Sequence, residues 1–168
     1  MLSSWPNAIQ DMIGGAMKSQ DFYENICALF LELSQDIFEF YGRLTPSQET
    51  GQLQRIFLEN SHKIYEMVCF SIDQYTQFPQ QVSKQIVKQS LDSLEHLVSW
   101  LPNQLFAQNQ FLESQIIPLV KDQQFIYQTL KILERFFERK SDLGPDQSLG
   151  VSLEKVTTVF QSFIQVLS

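Results

Sequence analysis

The chain has 168 residues, of which 43% are hydrophobic and 18% are charged, and its net charge at pH 7 is −7. A chain of this length can bury a core as one domain. The negative charge argues against nucleic acid as a partner, because phosphate binding requires a clustered basic surface. No signal peptide pattern is present, and the longest apolar runs are too short to cross a bilayer. We therefore expect a soluble intracellular protein with no membrane partner.

The acidity is concentrated in the first half of the chain. Up to Phe78 the sequence contains four lysine or arginine residues and ten aspartate or glutamate residues, whereas the two charges are nearly balanced in the remainder. A one-sided acidic field favours a basic protein partner. Cys27 and Cys69 both fall within apolar helical patterns, which is typical of buried, reduced cysteines rather than of a disulfide.

Apolar residues recur every three or four positions and strand signals are nearly absent, which predicts an all-α protein. Pro6 suits the first turn of a helix, and Gly14-Gly15 would weaken or kink that helix late. Gly42 and Pro46 separate the second helix from a long third helix, predicted from about Ser47 to Tyr75. The second helix carries an apolar stripe formed by Phe22, Ile26, Leu29, Phe30, Leu33, Ile37 and Phe40.

Prolines and glycines also divide the second half of the chain. Phe78-Pro79 should end the third helix, since a residue before proline avoids the helical region. The Trp100 to Asn103 segment is the next break, and Pro118 should end or kink the fifth helix. Gly144-Pro145 opens the last loop, and Gly150 stands at the start of the final helix. The later stripes are Ile86, Leu91, Leu94, Leu97, Val98 and Leu101; Phe125, Ile126, Leu130, Leu133, Phe136 and Phe137; and Leu149, Leu153, Val156, Phe160, Phe163 and Leu167.

These breaks predict about seven helices, and alternate helices begin near Pro6, Ser47, Asn103 and Ser148. A spacing of about 40 to 55 residues is close to that of HEAT and armadillo helix pairs. We expect residues 1–168 to form a single HEAT/armadillo-type α-α superhelix segment, although a closed bundle also fits the periodicity. If the last of these stripes stayed exposed to solvent, the folded protein would lose on the order of 6–12 kcal/mol of hydrophobic stabilisation. The chain is therefore expected either to belong to a longer solenoid or to pack this face on itself or on a partner.

Three blocks of the sequence resemble the early helical repeats of the nuclear exportin family, which are importin-β-like karyopherins. Trp5 to Ile9 is similar to the Trp-Pro-x-(aromatic or apolar)-Ile helix start of that family. Leu33 to Phe40 is similar to the ending of its next helix, Leu-Ser-(acidic or Gln)-acidic-apolar-Phe-acidic-Phe. Leu91 to Pro102 matches the Leu-x-x-Leu-x-x-(Phe/Leu)-apolar-x-Trp-(Ile/Leu)-Pro block position by position. The resemblance covers about the first hundred residues, and from Phe106 onward only generic helical repeats remain.

The resemblance implies a nuclear export receptor that shuttles between nucleus and cytoplasm, with the small GTPase Ran in its GTP form and export cargo as partners. It leaves two branches open, one that recognises leucine-rich export signals and one that carries actin–profilin. Family members are several-fold longer. The repeats that help grip Ran would precede Trp5 and the cargo grooves would follow Ser168, so this chain resembles a segment near the N-terminal region.

No arrangement of residues indicates catalysis, a metal site or a cofactor. Glu59 and His62 have the Glu-x-x-His spacing of di-iron bundles, but such sites require a second copy on facing helices. His62 and His96 both fall mid-helix without a nucleophile-elbow motif. Gly14-Gly15 lacks the remainder of a phosphate-binding loop. We predict that the protein is not an enzyme.

The polar side of the second helix supplies the candidate partner-binding residues, Asp21, Glu24, Glu32, Asp36 and Glu39. No lysine or arginine occurs between Lys18 and Arg43, and Glu32, Asp36 and Glu39 share one helical face. Such a face is often simply solvated. The resemblance instead implies that it lines the concave side, where a basic partner such as Ran or cargo is held. The alternative function is a free-standing helical scaffold or adaptor that self-associates through its terminal face.

Overall fold

A computed structural model describes residues 7–36, 55–102, 105, 110–138 and 153–168. Every regular element in these residues is helical, which confirms the all-α prediction. The elements are α1 (Ala8–Ala16), α2 (Gln20–Ser34), α3 (Ser61–Gln77), α4 (Lys84–Val98), a π segment (Leu112–Ile116), a 3-10 segment (Ile117–Lys121), α5 (Ile126–Glu138) and α6 (Leu153–Leu167). No described helix combines the length and apolar character that a membrane crossing requires.

The helices pack in two layers, as in a HEAT-like α-solenoid. Within each pair, α1 packs on α2 and α3 packs on α4. One layer continues from α1 to α3, then to the π segment and on to α6, while the other continues from α2 to α4 and then to α5. Each of the helices α1 to α4 therefore contacts its pair partner and the next element of its own layer, which is how stacked repeats share a continuous core. This arrangement confirms the predicted fold class.

The prolines end the helices as predicted. Helix α3 stops at Gln77, before Phe78-Pro79, and α4 stops at Val98, before the Trp100 to Pro102 turn. At Pro118 the fifth helical region changes from the wide π form to the narrow 3-10 form. Proline has no N–H to donate, so a change of hydrogen-bonding pattern at this point costs little.

The predicted long third helix is interrupted, which the sequence prediction missed. Residues 55–59 are helical, a turn follows at Asn60, and α3 begins only at Ser61. The Asn60 side-chain amide donates a hydrogen bond to the carbonyl oxygen of Ile56, 2.9 Å away. Asparagine competes for backbone hydrogen bonds in this way and favours helix ends over helix interiors. Residues 47–54, where this helix was expected to begin, lie outside the described residues.

One apolar cluster extends through all the described pairs, from Ile9 in α1 to Val159 in α6. Its aromatic members meet edge to face, with ring centroids 6.0 Å apart for Phe30 and Phe57 and 6.1 Å apart for Phe57 and Trp100. The predicted stripe on α4 is entirely buried, as is the apolar part of the Leu91 to Pro102 block. That block therefore forms the centre of the core.

The other stripes are only partly correct. In α5, Phe125, Leu133 and Phe136 are buried as predicted, but the remaining members are exposed; these are Ile126, Leu130 and Phe137. In α6, Val159 is buried and Val156 and Phe163 pack against the core, whereas Phe160 and Leu167 are 53% and 59% exposed. Periodicity finds the apolar arc of a helix, but neighbouring helices cover only part of a wide arc. Leu149, Gly144-Pro145 and Gly150 lie outside the described residues.

Candidate protein-binding surface on α2

Helix α2 is fixed in orientation by one buried face. Tyr23, Ile26, Cys27 and Phe30 lie on this face, each at most 6% exposed. They recur at three- and four-residue intervals, so they form a single stripe that packs against α4. A helix held in this way must present its opposite face to solvent.

A buried polar cluster locks the rotation of α2 against α3 and α4. The Tyr23 hydroxyl donates a hydrogen bond of 2.6 Å to the carbonyl oxygen of Met67. Next to it, the Ser71 hydroxyl donates to Ser90 Oγ at 2.7 Å, and Ser93 Oγ lies 3.4 Å from the carbonyl oxygen of Cys27. Burial raises the pKa of Tyr23 above its ordinary value and that of the Cys27 thiol to about 11. Both groups therefore remain neutral at pH 7, which is the form that a buried site favours.

The acidic candidates lie on the opposite side of α2. Asp21, Glu32 and Asp36 are exposed and Glu24 is half-buried, while Glu39 lies outside the described residues. Helix α2 itself contains no lysine or arginine, and these four carboxylates form no ion pair with a described residue. The structure thus brings Asp21, Glu32 and Asp36 together on one negatively charged strip of solvent-facing surface.

The sequence prediction missed an apolar edge next to this strip. Phe22 and Leu29 were assigned to the buried stripe, but they are 42% and 40% exposed. Seven residues separate them, so they lie on one side of the helix, adjacent to the acidic strip. The apolar arc of α2 is wider than the area that α4 covers. Helix α4 packs only on the part centred on Tyr23 and Phe30, so the edge of the arc stays exposed. A partner that fits this surface must offer both positive charge and apolar side chains.

The histidines and cysteines do not form a reactive site. Glu59 Oε1 accepts a hydrogen bond from Arg55 at 2.8 Å, and His62 Nδ1 lies 3.3 Å from Glu66 Oε2. His96 Nε2 lies 3.1 Å from the Gln35 side-chain amide, where it connects α4 to the end of α2. Cys27 and Cys69 are buried and not joined in a disulfide, as predicted. Within the described ranges, no three potential ligands are grouped as a metal ion requires.

Comparison with known proteins identifies the family. The sequence model described as Exportin 1-like protein matches residues 1–135. The chain belongs to the exportin 1-like family. This confirms the resemblance given by the three sequence blocks, all of which fall within the matched range. No curated protein matches the chain.

Membership places the chain in a family of nuclear transport receptors, which are carriers and not enzymes. Proteins of the exportin 1-like family shuttle between nucleus and cytoplasm and bind protein partners. In the Leu91 to Pro102 block, Leu91, Leu94 and Leu101 are buried in the core. These residues fix the stacking of the repeats, so binding must come from the exposed faces.

Proposed function

We propose that residues 1–168 are a HEAT-like repeat segment of a longer nuclear export receptor. In this proposal the intact protein binds export cargo in a manner that depends on Ran-GTP and moves between nucleus and cytoplasm. The observation that carries it is the acidic strip on α2, combined with membership of the exportin 1-like family. Exposed apolar flanks on α5 and α6 support the longer solenoid, because a further repeat would cover them.

The layer arrangement gives the acidic strip a role in partner binding by the carrier. Helices α2, α4 and α5 form the layer of second helices, which in importin-like solenoids lines the concave side. A basic partner on this side would be attracted to Asp21, Glu32 and Asp36 by long-range electrostatics. The superhelix would exist in conformations of different curvature. Ran-GTP would bind one of these conformations more tightly and so increase its population.

The test is a charge-neutralising variant of the full-length protein. Glu32→Gln, Asp36→Asn and Glu39→Gln together should weaken binding of Ran-GTP or of cargo by about tenfold at low salt, and by less at high salt. The matched control neutralises Asp11, Glu59 and Glu154 instead, which removes the same charge from exposed positions outside the layer of α2, α4 and α5. Unchanged affinity of the α2 variant for both partners at low salt would contradict the proposal.

A second candidate function is a helical adaptor that self-associates. The observation in its favour is the exposed stripe on α6, where Phe160, Ile164 and Leu167 are each more than half exposed. A second copy of the chain could cover this stripe without a further repeat. The two candidates differ in whether the purified chain forms dimers through α6.

A further inference from the structure

A groove of about 440 Å³ lies between α3 and the π segment, on the layer that does not contain α2. One wall comes from the outward side of α3 and the other from the residues on either side of Leu112. The lining residues are Tyr65, Glu66, Cys69, Phe70, Asp73, Gln110, Phe111, Ser114 and Gln115.

The floor of the groove is aromatic. Tyr65 and Phe111 meet edge to face across it, with ring centroids 5.8 Å apart. Phe70 stands beside them and is 44% exposed, although it belongs to a helix whose other large apolar residues are buried. A solvent-exposed ring in a concave site offers its face to a flat or elongated side chain.

The walls carry two carboxylates, Glu66 and Asp73, and the first of them has a histidine beside it, because His62 Nδ1 lies 3.3 Å from Glu66 Oε2. Glu66 and Asp73 flank Phe70 on α3, four residues before it and three residues after it. Asp73 Oδ1 accepts a hydrogen bond from the Gln115 amide at 3.0 Å, and Asp73 Oδ2 accepts one from the Gln77 amide at 2.8 Å. These neutral donors fix the carboxylate in place but leave its charge. The described lining residues include no lysine or arginine.

We propose that this groove binds an arginine side chain of a partner protein. A guanidinium group is planar, stacks on aromatic rings and pairs with carboxylates through two parallel hydrogen bonds. Phe70 provides the ring, Glu66 provides the more accessible carboxylate, and the methylene groups of the arginine cover Tyr65 and Phe111. A lysine would bind less well, because its compact ammonium group cannot stack on a ring or form two parallel hydrogen bonds with one carboxylate. This interaction is separate from the α2 surface and does not depend on the transport proposal.

The test is an NMR titration of the ¹⁵N-labelled chain with N-acetyl-arginine N-methylamide. We expect saturable shift changes confined to amides of α3 and residues 110–116, and weaker binding of the corresponding lysine compound. Phe70→Ala should raise the dissociation constant about two- to fivefold, the range of an exposed cation–π contact. Glu66→Gln should raise it by a similar factor and reduce its dependence on salt.

Glu154→Gln, on exposed α6, is the matched control and should leave the dissociation constant unchanged. The spectrum of each variant without ligand shows directly whether its fold is intact. The proposal is overturned if the arginine compound causes no saturable change, if the lysine compound binds equally well, or if folded Phe70→Ala and Glu66→Gln variants bind as the parent chain does.

Discussion

Gly14 and Gly15 are neighbours in α1 but have different surroundings. A Cβ atom on Gly14 would meet nothing within 4 Å, whereas one on Gly15 would collide with the ring of Phe22. Neither glycine has a positive φ, so alanine is compatible with the backbone at both positions. Of the two glycines, only Gly15 is needed for the close approach of the Phe22 ring to α1.

We predict that Gly14→Ala stabilises the protein by about 0.5–1 kcal/mol, since alanine loses less conformational entropy in a helix. Gly15→Ala should gain less or should destabilise, because Phe22 must move away and lose its contact with α1. Urea unfolding of the two variants at 25 °C measures the difference. Equal gains at the two positions would mean that the Phe22 ring moves without cost.

The buried thiols make stability depend on pH in the alkaline range. Desolvation raises the pKa of the Cys27 thiol from 9.0 to about 11, and burial also raises that of Cys69. An unfolded chain ionises its thiols near pH 9, so above this pH the unfolded state binds fewer protons than the folded state. The stabilisation is therefore complete below pH 9 and declines as the pH rises toward 11.

We expect Cys27 to account for a loss of about 1–1.5 kcal/mol in the free energy of unfolding between pH 8 and pH 10. Urea unfolding under reducing conditions measures this loss. Cys27→Ala lowers stability through its cavity, but the decline of stability with pH should become shallower. A variant whose stability declines as steeply as that of the parent chain would show that the thiol ionises equally easily when folded.

At the scale of elements, α6 is joined to the π segment by a largely buried ion pair. Lys155 Nζ lies 2.6 Å from Glu113 Oε1, and the two side chains are 13% and 9% exposed. Glu113 Oε2 is buried and has no hydrogen-bond partner among the described residues. Removal of the lysine would thus leave a carboxylate buried without compensation.

We predict that Lys155→Met costs about 2–4 kcal/mol, near the range for breaking a buried pair. The double variant Glu113→Leu, Lys155→Met should lose much less than the two single variants combined, because no charge is then stranded. Lys131→Met, which breaks the exposed pair with Glu134 in α5, is the control and should have no measurable effect. Thermal and urea unfolding provide the measurements, and additive losses at positions 113 and 155 would be inconsistent with coupling.

The helix order and most helix ends could be predicted from the sequence, because proline acts locally. Phe78-Pro79 and Leu101-Pro102 stop their helices wherever the rest of the chain lies. The break at Asn60 was missed because the apolar pattern continues across it, while the Asn60 side-chain amide and backbone N–H both donate to the carbonyl oxygen of Ile56. An asparagine followed by a serine, both of which favour helix ends, was the available signal.

The candidate surface was harder to predict than the fold. The charges of Asp21, Glu32 and Asp36 indicated an exposed face, and the structure agrees. The exposure of Phe22 and Leu29 could not be read from spacing, because it depends on how much of the apolar arc α4 covers. The groove beside Phe70 depends on two segments about 40 residues apart in sequence, and no local pattern indicates such a meeting.

At the scale of the whole molecule, the two layers leave apolar surface on their last helices. In α6, Phe160, Ile164 and Leu167 form one stripe, and the polar residues beside it are threonine, glutamine and serine. The helix carries no charged residue after Lys155. Two such stripes could approach each other without the like-charge repulsion expected between other parts of a chain with net charge −7.

We predict that the 168-residue chain self-associates weakly through this stripe, because three side chains on each copy bury less than the roughly 1,200 Å² of a stable interface. Sedimentation velocity should show a monomer at low concentration and a growing dimer fraction at high concentration. Phe160→Gln together with Ile164→Gln should abolish the dimer without loss of stability, since both side chains are already exposed. Phe22→Gln together with Leu29→Gln on α2 is the matched control and should dimerise as the parent does. If both pairs of changes leave association unaltered, α6 is not the contact, and the adaptor function loses the observation that supports it.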